Sequence, residues 1–133
     1  MLVPRKIRFQ LIGDTQIGYI SVAENSKNIP FEIKRVYWVY STPDHIERGN
    51  HANHFSEHVI ICLTGKTSIY LENTSGDEFQ YELDDPNEGL YIPAMYWRRL
   101  KMNHDTVCLS LSSTIFDEGD YIRDYQEFLK LKN

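Results

Sequence analysis

The stretch Arg48-Gly49-Asn50-His51-Ala52-Asn53-His54-Phe55-Ser56-Glu57-His58, leading into the apolar Val59-Ile60-Ile61-Cys62-Leu63, decides how this chain is read. It sets three of the five histidines within eight residues, directly before a run of β-forming side chains. In an extended chain successive side chains alternate between faces. If His51 to Leu63 forms one unbroken strand, His51, Asn53 and Glu57 share a face, and His54 and His58 take the other. That parity predicts His51 and Asn53 pointing inward, with His54 and His58 toward solvent or a partner. A bulge would break the count.

Outward from this stretch, short runs of β-formers recur between turn residues. Ile7 to Ile12 reads as a strand, Gly13-Asp14-Thr15-Gln16 as its turn and Ile17 to Ala23 as the return strand. Further strands are expected at Ile33 to Tyr40, Thr67 to Glu72, Glu78 to Leu83, Leu90 to Ile92, Trp97 to Met102 and Thr106 to Ser112. Only Asp120 to Lys132 has apolar residues at helical spacing, in Tyr121, Ile122, Tyr125, Phe128 and Leu129. The acidic Asp117-Glu118-Gly119-Asp120 reads as a solvated cap before that helix. Many short strands and one terminal helix predict an all-β barrel or sandwich. At 133 residues the chain fits one domain, 1–133.

Composition narrows the function. The formal net charge of −5 lacks the basic footprint of a general nucleic-acid binder, so no nucleic-acid partner is expected. No apolar run approaches the ~18 residues of a membrane span. The start, Met1-Leu2-Val3-Pro4-Arg5-Lys6, carries no secretory pattern. Cys62 and Cys108 each sit in an apolar run and read as buried thiols, which fits a cytoplasmic protein. His45 and His104 lie in loop-like surroundings and read as solvent-facing.

The histidine-rich stretch resembles the first motif of a metal-binding cupin, G…H-x-H-x3-E…G, but here it reads His51-x-Asn53-x3-Glu57 and ends at Gly65. The matching later region, Ile92-Pro93-Ala94-Met95-Tyr96-Trp97-Arg98-Arg99, supplies arginine where such cupins offer another histidine. His51 and Glu57 alone are two ligands, short of the three or four that zinc or iron needs. Neither a metal nor another cofactor is expected.

Four blocks in order make the resemblance specific. These are Glu24-Asn25 with Asn28-Ile29-Pro30-Phe31-Glu32-Ile33-Lys34-Arg35-Val36-Tyr37; Arg48-Gly49-Asn50-His51-Ala52; Gly89-Leu90-Tyr91-Ile92 with Trp97; and Asp117-Glu118-Gly119-Asp120-Tyr121-Ile122-Arg123-Asp124-Tyr125. Across nearly its whole length the chain resembles the WxcM-like, metal-independent cupins that act as dTDP-4-keto-6-deoxyhexose 3,4-ketoisomerases. The resemblance implies an RmlC-like jelly-roll barrel with a short C-terminal helix. It also implies a homodimer with exchanged N-terminal strands and a dTDP-linked keto-deoxyhexose as substrate, in deoxysugar biosynthesis. In the family motif, arginine and glycine precede His-Ala-His, and both histidines are implicated in proton transfer. The first falls on His51 and the second on Asn53; the family tyrosine beside the sugar falls on Tyr37.

Moving a carbonyl from C4 to C3 requires a base for the C3 proton and donors for the developing oxyanion. Histidine suits the first task, since its ordinary pKa is about 6.5. The candidate catalytic residues are therefore His51, Asn53 and Tyr37. Candidates for substrate binding are Arg35, Arg48, His54, Trp97 and Arg98. Arg98 and Arg99 are adjacent on a strand, so at most one reaches a shared pocket. An amide cannot carry a proton at neutral pH. Asn53 thus leaves open turnover through His51 alone, nucleotide-sugar binding without isomerisation, or a related epimerase.

Overall fold

Alternating apolar side chains and frequent turn residues fold the chain into antiparallel sheets. A computed structural model describes residues 2–132. Its strands are β1 (Arg5–Arg8), β2 (Gln10–Asp14), β3 (Gly18–Val22), β4 (Arg35–Val39), β5 (Arg48–Asn53) and β6 (His58–Thr64). They continue with β7 (Thr67–Glu72), β8 (Glu78–Leu83), β9 (Glu88–Ile92), β10 (Trp97–Met102), β11 (Val107–Ser112) and β12 (Tyr121–Ile122), ahead of one short helix, α1 (Tyr125–Leu129). One five-stranded sheet has the order β1-β9-β6-β11-β4, and the other β12-β5-β10-β7-β8. The two face each other as a jelly roll, without closing into one hydrogen-bonded barrel. Strands β2 and β3 form a separate hairpin.

The core between the sheets holds Ile60, Cys62, Leu90, Ile92 and Cys108 from the first sheet, against Ile69, Leu71, Leu83, Leu100 and Met102 from the second. A second cluster, with Ile7, Phe9, Ile29, Val59, Ile61 and Leu111, covers the outer face of the first sheet with the N-terminal segment. Strand β6 is therefore buried on both faces, which is why Val59 to Cys62 is apolar without alternation. A third cluster joins Ala52, Trp97, Ile122 and Phe128 on the outer face of the second sheet. Fully enclosing Phe128 there stabilises the packing of α1 by roughly 1.5–3 kcal/mol.

Three sequence expectations change. The run from His51 to Leu63 is two strands in different sheets, joined by a corner at residues 54–57. Ile7 to Ile12 divides at Phe9, whose side chain is drawn into the second cluster. The C-terminal helix begins at Tyr125 rather than Asp120, because Tyr121 and Ile122 pair with Asn53 and Ala52 of β5. Cys62 and Cys108 are buried, free thiols facing each other across β6 and β11.

Candidate active site

The pairing register gathers polar side chains at one end of the space between the sheets. In the first sheet Arg35, Ser112 and His58 lie side by side across β4, β11 and β6. Two residues further along come Tyr37, Ser110 and Ile60, and two further again the apolar row Val39, Cys108 and Cys62. In the facing sheet Asn53 pairs with Tyr121, and His51 with Arg98. Beyond Arg98, β10 turns Leu100 and Met102 into the core. The interior thus grades from a polar end, or chamber, to an apolar core.

A bulge aims His51 into this chamber. Gly49 and Asn50 adopt left-handed backbone angles, with φ of 85° and 56°. The register of β5 against β10 slips there, Arg98 facing His51 but Arg99 facing Gly49. A Cβ on Gly49 would stand 2.9 Å from the Arg98 carbonyl oxygen, so glycine satisfies both the angle and the space. His51 Nδ1 lies 3.2 Å from the Gly49 carbonyl oxygen. A carbonyl only accepts, so Nδ1 carries the ring hydrogen and Nε2 presents its lone pair. The ring also rests edge-on against Tyr121, centroids 5.0 Å apart.

Arg98 is enclosed, with 2% of its surface exposed, and forms no ion pair among the described residues. Its Nη1 stands 3.1 Å from Nδ1 of the equally buried His58. Arginine only donates, so His58 Nδ1 accepts and its hydrogen sits on Nε2. His51 and His58 therefore hold opposite tautomers. Burial first, and then the Arg98 charge, lower the His51 pKa to about 4 despite the Gly49 carbonyl. Burial, Arg98, Arg35 and His51 in turn push His58 well below the ordinary range. Both imidazoles are neutral at pH 7.

Arg35 donates to Ser112 Oγ (3.2 Å) and to the Tyr121 hydroxyl (3.4 Å), with its guanidinium over the Tyr37 ring. Tyr37 meets His58 edge to face at 6.2 Å. Asn53 is wholly buried, and its Nδ2 donates to Asp120 Oδ2 at 3.0 Å. The same carboxylate accepts from the Phe55 backbone N–H and from Ser56 Oγ. Burial raises the Asp120 pKa, but these donors outweigh it and hold it below the ordinary carboxylate value.

Buried polar atoms in proteins nearly always find partners. Among the described residues, those without one within the protein are Arg35 Nε, His51 Nε2, Asn53 Oδ1, His58 Nε2, and Arg98 Nε and Nη2. All belong to this chamber. Arg35, Arg98 and His58 offer donors, whereas His51 and Asn53 offer acceptors. A ligand with both oxyanion character and hydroxyl groups complements that set.

The structure brings together His51, Asn53, Tyr37, Arg35 and Arg98 from the sequence candidates. Arg48 stays at the exposed start of β5. His54 is exposed at the corner, its ring against Phe55. Trp97 corrects the reading most clearly: it faces the other side of β10 from Arg98 and packs under Tyr125 and Phe128. His58, expected outward, is buried in the chamber, because the 54–57 corner resets the alternation. Asp120, expected as a solvated cap, is 5% exposed and anchors Asn53. Glu57 accepts from the Tyr91 hydroxyl, and no cluster of three or more His, Cys, Asp or Glu side chains occurs among the described residues.

The family model described as WxcM-like, C-terminal (FdtA) matches residues 4–133. The chain belongs to the WxcM-like family. It is 39% identical over 126 residues to a curated TDP-4-oxo-6-deoxy-alpha-D-glucose-3,4-oxoisomerase of Aneurinibacillus thermoaerophilus, covering 93% of this chain and 88% of that one. A crystal structure of a sugar 3,4-ketoisomerase from Thermoanaerobacterium thermosaccharolyticum, in complex with TDP, superposes with a TM-score of 0.89 at 37% identity over 96% of this chain and 92% of that one. A TDP-fucose-3,4-ketoisomerase from Campylobacter jejuni gives 0.91 at 33% identity, covering 99% and 97%. Like these WxcM-like relatives, the chain has the RmlC-like cupin fold.

Proposed function

We propose that this protein is a dTDP-4-keto-6-deoxyhexose 3,4-ketoisomerase in which His51 carries the proton between C3 and C4 of the sugar. One observation carries this reading: among the described residues, the Nε2 lone pair of His51 is buried and unpartnered in a chamber that also holds unpaired N–H groups of two arginines. The names of the family's relatives supply the substrate class.

With the C4 carbonyl oxygen accepting from Arg98 and Arg35, the C3 hydrogen becomes acidic. His51 Nε2 takes that proton, and the electron pair of the C3–H bond forms the C3–C4 double bond of an enediolate. The remaining hydroxyl proton moves from the C3 oxygen to the C4 oxygen. The imidazolium then returns its proton to C4 as the C3 oxygen becomes the carbonyl. Each donor to the enediolate is worth roughly 3–4 kcal/mol of barrier. As negative charge develops beside Arg98, it offsets the field that weakens His51, so the imidazole gains basicity when the proton moves. The Tyr37 hydroxyl and Asn53 Oδ1 serve the sugar hydroxyls, and Arg48, at the rim, suits the diphosphate.

Incubation with TDP-4-keto-6-deoxyglucose in deuterated water tests this. The expected result is deuterium incorporation with a 3-keto product, slowed about 10²–10⁴-fold in His51→Asn. Neither exchange nor a 3-keto product, across several nucleotide sugars, would reject the assignment.

The protein is further proposed to act as a cytoplasmic homodimer in deoxysugar biosynthesis. Two free cysteines and no helix long and apolar enough to cross a membrane, among the described residues, support the location. The hairpin of β2 and β3 exposes Leu11, Ile12, Ile17, Tyr19 and Ile20, and an isolated two-stranded hairpin is marginal in water. A second copy of the chain would cover it.

A further inference from the structure

We infer that His58 is a second working imidazole of this site, a neutral donor whose Nε2–H binds the enediolate oxygens. This rests on the ketoisomerase reading above and assigns the atom that complements His51.

The geometry leaves His58 little alternative. It lies on β6 of the first sheet, across the chamber from His51 on β5 of the second. Its exposure is zero, and Arg98 Nη1 occupies its Nδ1 at 3.1 Å. The guanidinium blocks protonation at Nδ1 and fixes the hydrogen on Nε2. That Nε2–H is buried without a partner among the described residues. A purely structural histidine so deeply placed would have both nitrogens bonded. The cation at Nδ1 also draws charge from the ring, so Nε2–H is a stronger donor than a free imidazole without the ring ever becoming imidazolium.

The neighbours are those of a reacting centre. Tyr37 meets the ring edge to face, and Arg35 lies one strand beyond Ser112. Asn53 commits one of its two N–H donors to Asp120, and its unpartnered atom among the described residues is the acceptor Oδ1, so the atom it leaves free complements rather than duplicates the His58 donor. The step makes and breaks no bond to His58: the C3 proton travels on His51, the hydroxyl proton stays on the enediolate, and His58 Nε2–H holds the oxygen that bears the charge.

Two measurements on the full-length protein test this. In nitrogen-15 histidine spectra of the free protein, His58 is expected as the Nε2–H tautomer at neutral pH. Adding TDP-4-keto-6-deoxyglucose should shift its Nε2 resonance, and TDP alone should leave it in place. An Nδ1–H tautomer, or no response to the keto sugar, overturns the inference whether or not the protein turns over. In kinetics, His58→Leu should lower kcat about 10²–10³-fold with little change in KM, and His58→Gln, which keeps a donor, should recover part of that loss. If His58→Leu misfolds, His58→Gln alone decides: kcat equal to the native value with KM raised would count against it. Native protein with no exchange at all would instead defeat the ketoisomerase reading, and the tautomer and titration results would still decide His58.

Discussion

Arg98 Nη1 and His58 Nδ1 meet at 3.1 Å between the two sheets, and both side chains are almost wholly enclosed. The contact joins strands 40 residues apart and leaves two of the three guanidinium nitrogens uncommitted. Among the described residues this cation has no carboxylate partner, and an unpaired buried charge is costly, so the chamber is electrostatically prepared for negative charge. Burial first, and then the Arg98 cation, lower both imidazole pKa values.

Gly49→Ala should expose the role of the bulge. A non-glycine residue in the left-handed region costs roughly 1–2 kcal/mol, and the new Cβ would approach the Arg98 carbonyl oxygen at 2.9 Å and Leu100 Cδ1 at 3.0 Å. We expect a lower Tm and a larger loss of deuterium exchange than of TDP binding, since the bulge aims His51. Unchanged exchange would show that the ring does not depend on it.

Acid should weaken the fold through His51. Its pKa falls from 6.5 unfolded to about 4 folded, through burial and Arg98, so in that window the unfolded chain binds a proton the folded chain refuses. Stability therefore rises with pH from about 4 to 6.5 and is fully present above it. His58, lowered for the same reasons, adds in the same direction. Urea unfolding across this range should give a shallower pH slope for His51→Gln; equal slopes would refute the shift.

Asp120→Asn should be disproportionately harmful for a position at the end of an acidic, loop-like stretch. The carboxylate accepts from Phe55 N, Ser56 Oγ and Asn53 Nδ2, and an amide would turn a donor toward donors. A loss of about 2–3 kcal/mol is expected in chemical unfolding, along with reduced kcat as Asn53 loses its anchor.

Trp97→Ala separates folding from chemistry. The indole packs against Tyr125 at 5.2 Å and Phe128 at 5.8 Å, outside the chamber. Truncation should cost about 3–5 kcal/mol of stability while the folded fraction keeps the native KM. A raised KM at a temperature where the variant is folded would return Trp97 to the substrate site.

Sedimentation tests the homodimer. Ile17 and Ile20 of the free hairpin are 81% and 61% exposed, and replacing both with lysine should yield monomers. A native protein that sediments as a monomer at micromolar concentration would remove the dimer.

Much of this protein is written locally. Strand propensity and turn residues determined the all-β fold, and the ordered blocks around Arg48-Gly49 and Tyr37 determined the family and singled out His51. None of that needs more than a few neighbouring residues. The three-dimensional fold alone decided that His58 faces Arg98, that Asp120 turns inward to Asn53, and that Trp97 turns away. The corner at residues 54–57 restarts the face count between two sheets, and β6 is apolar on both sides, so alternation carries no direction there. The deciding contacts join residues 40 and 67 positions apart, and only chain folding sets what meets over such separations.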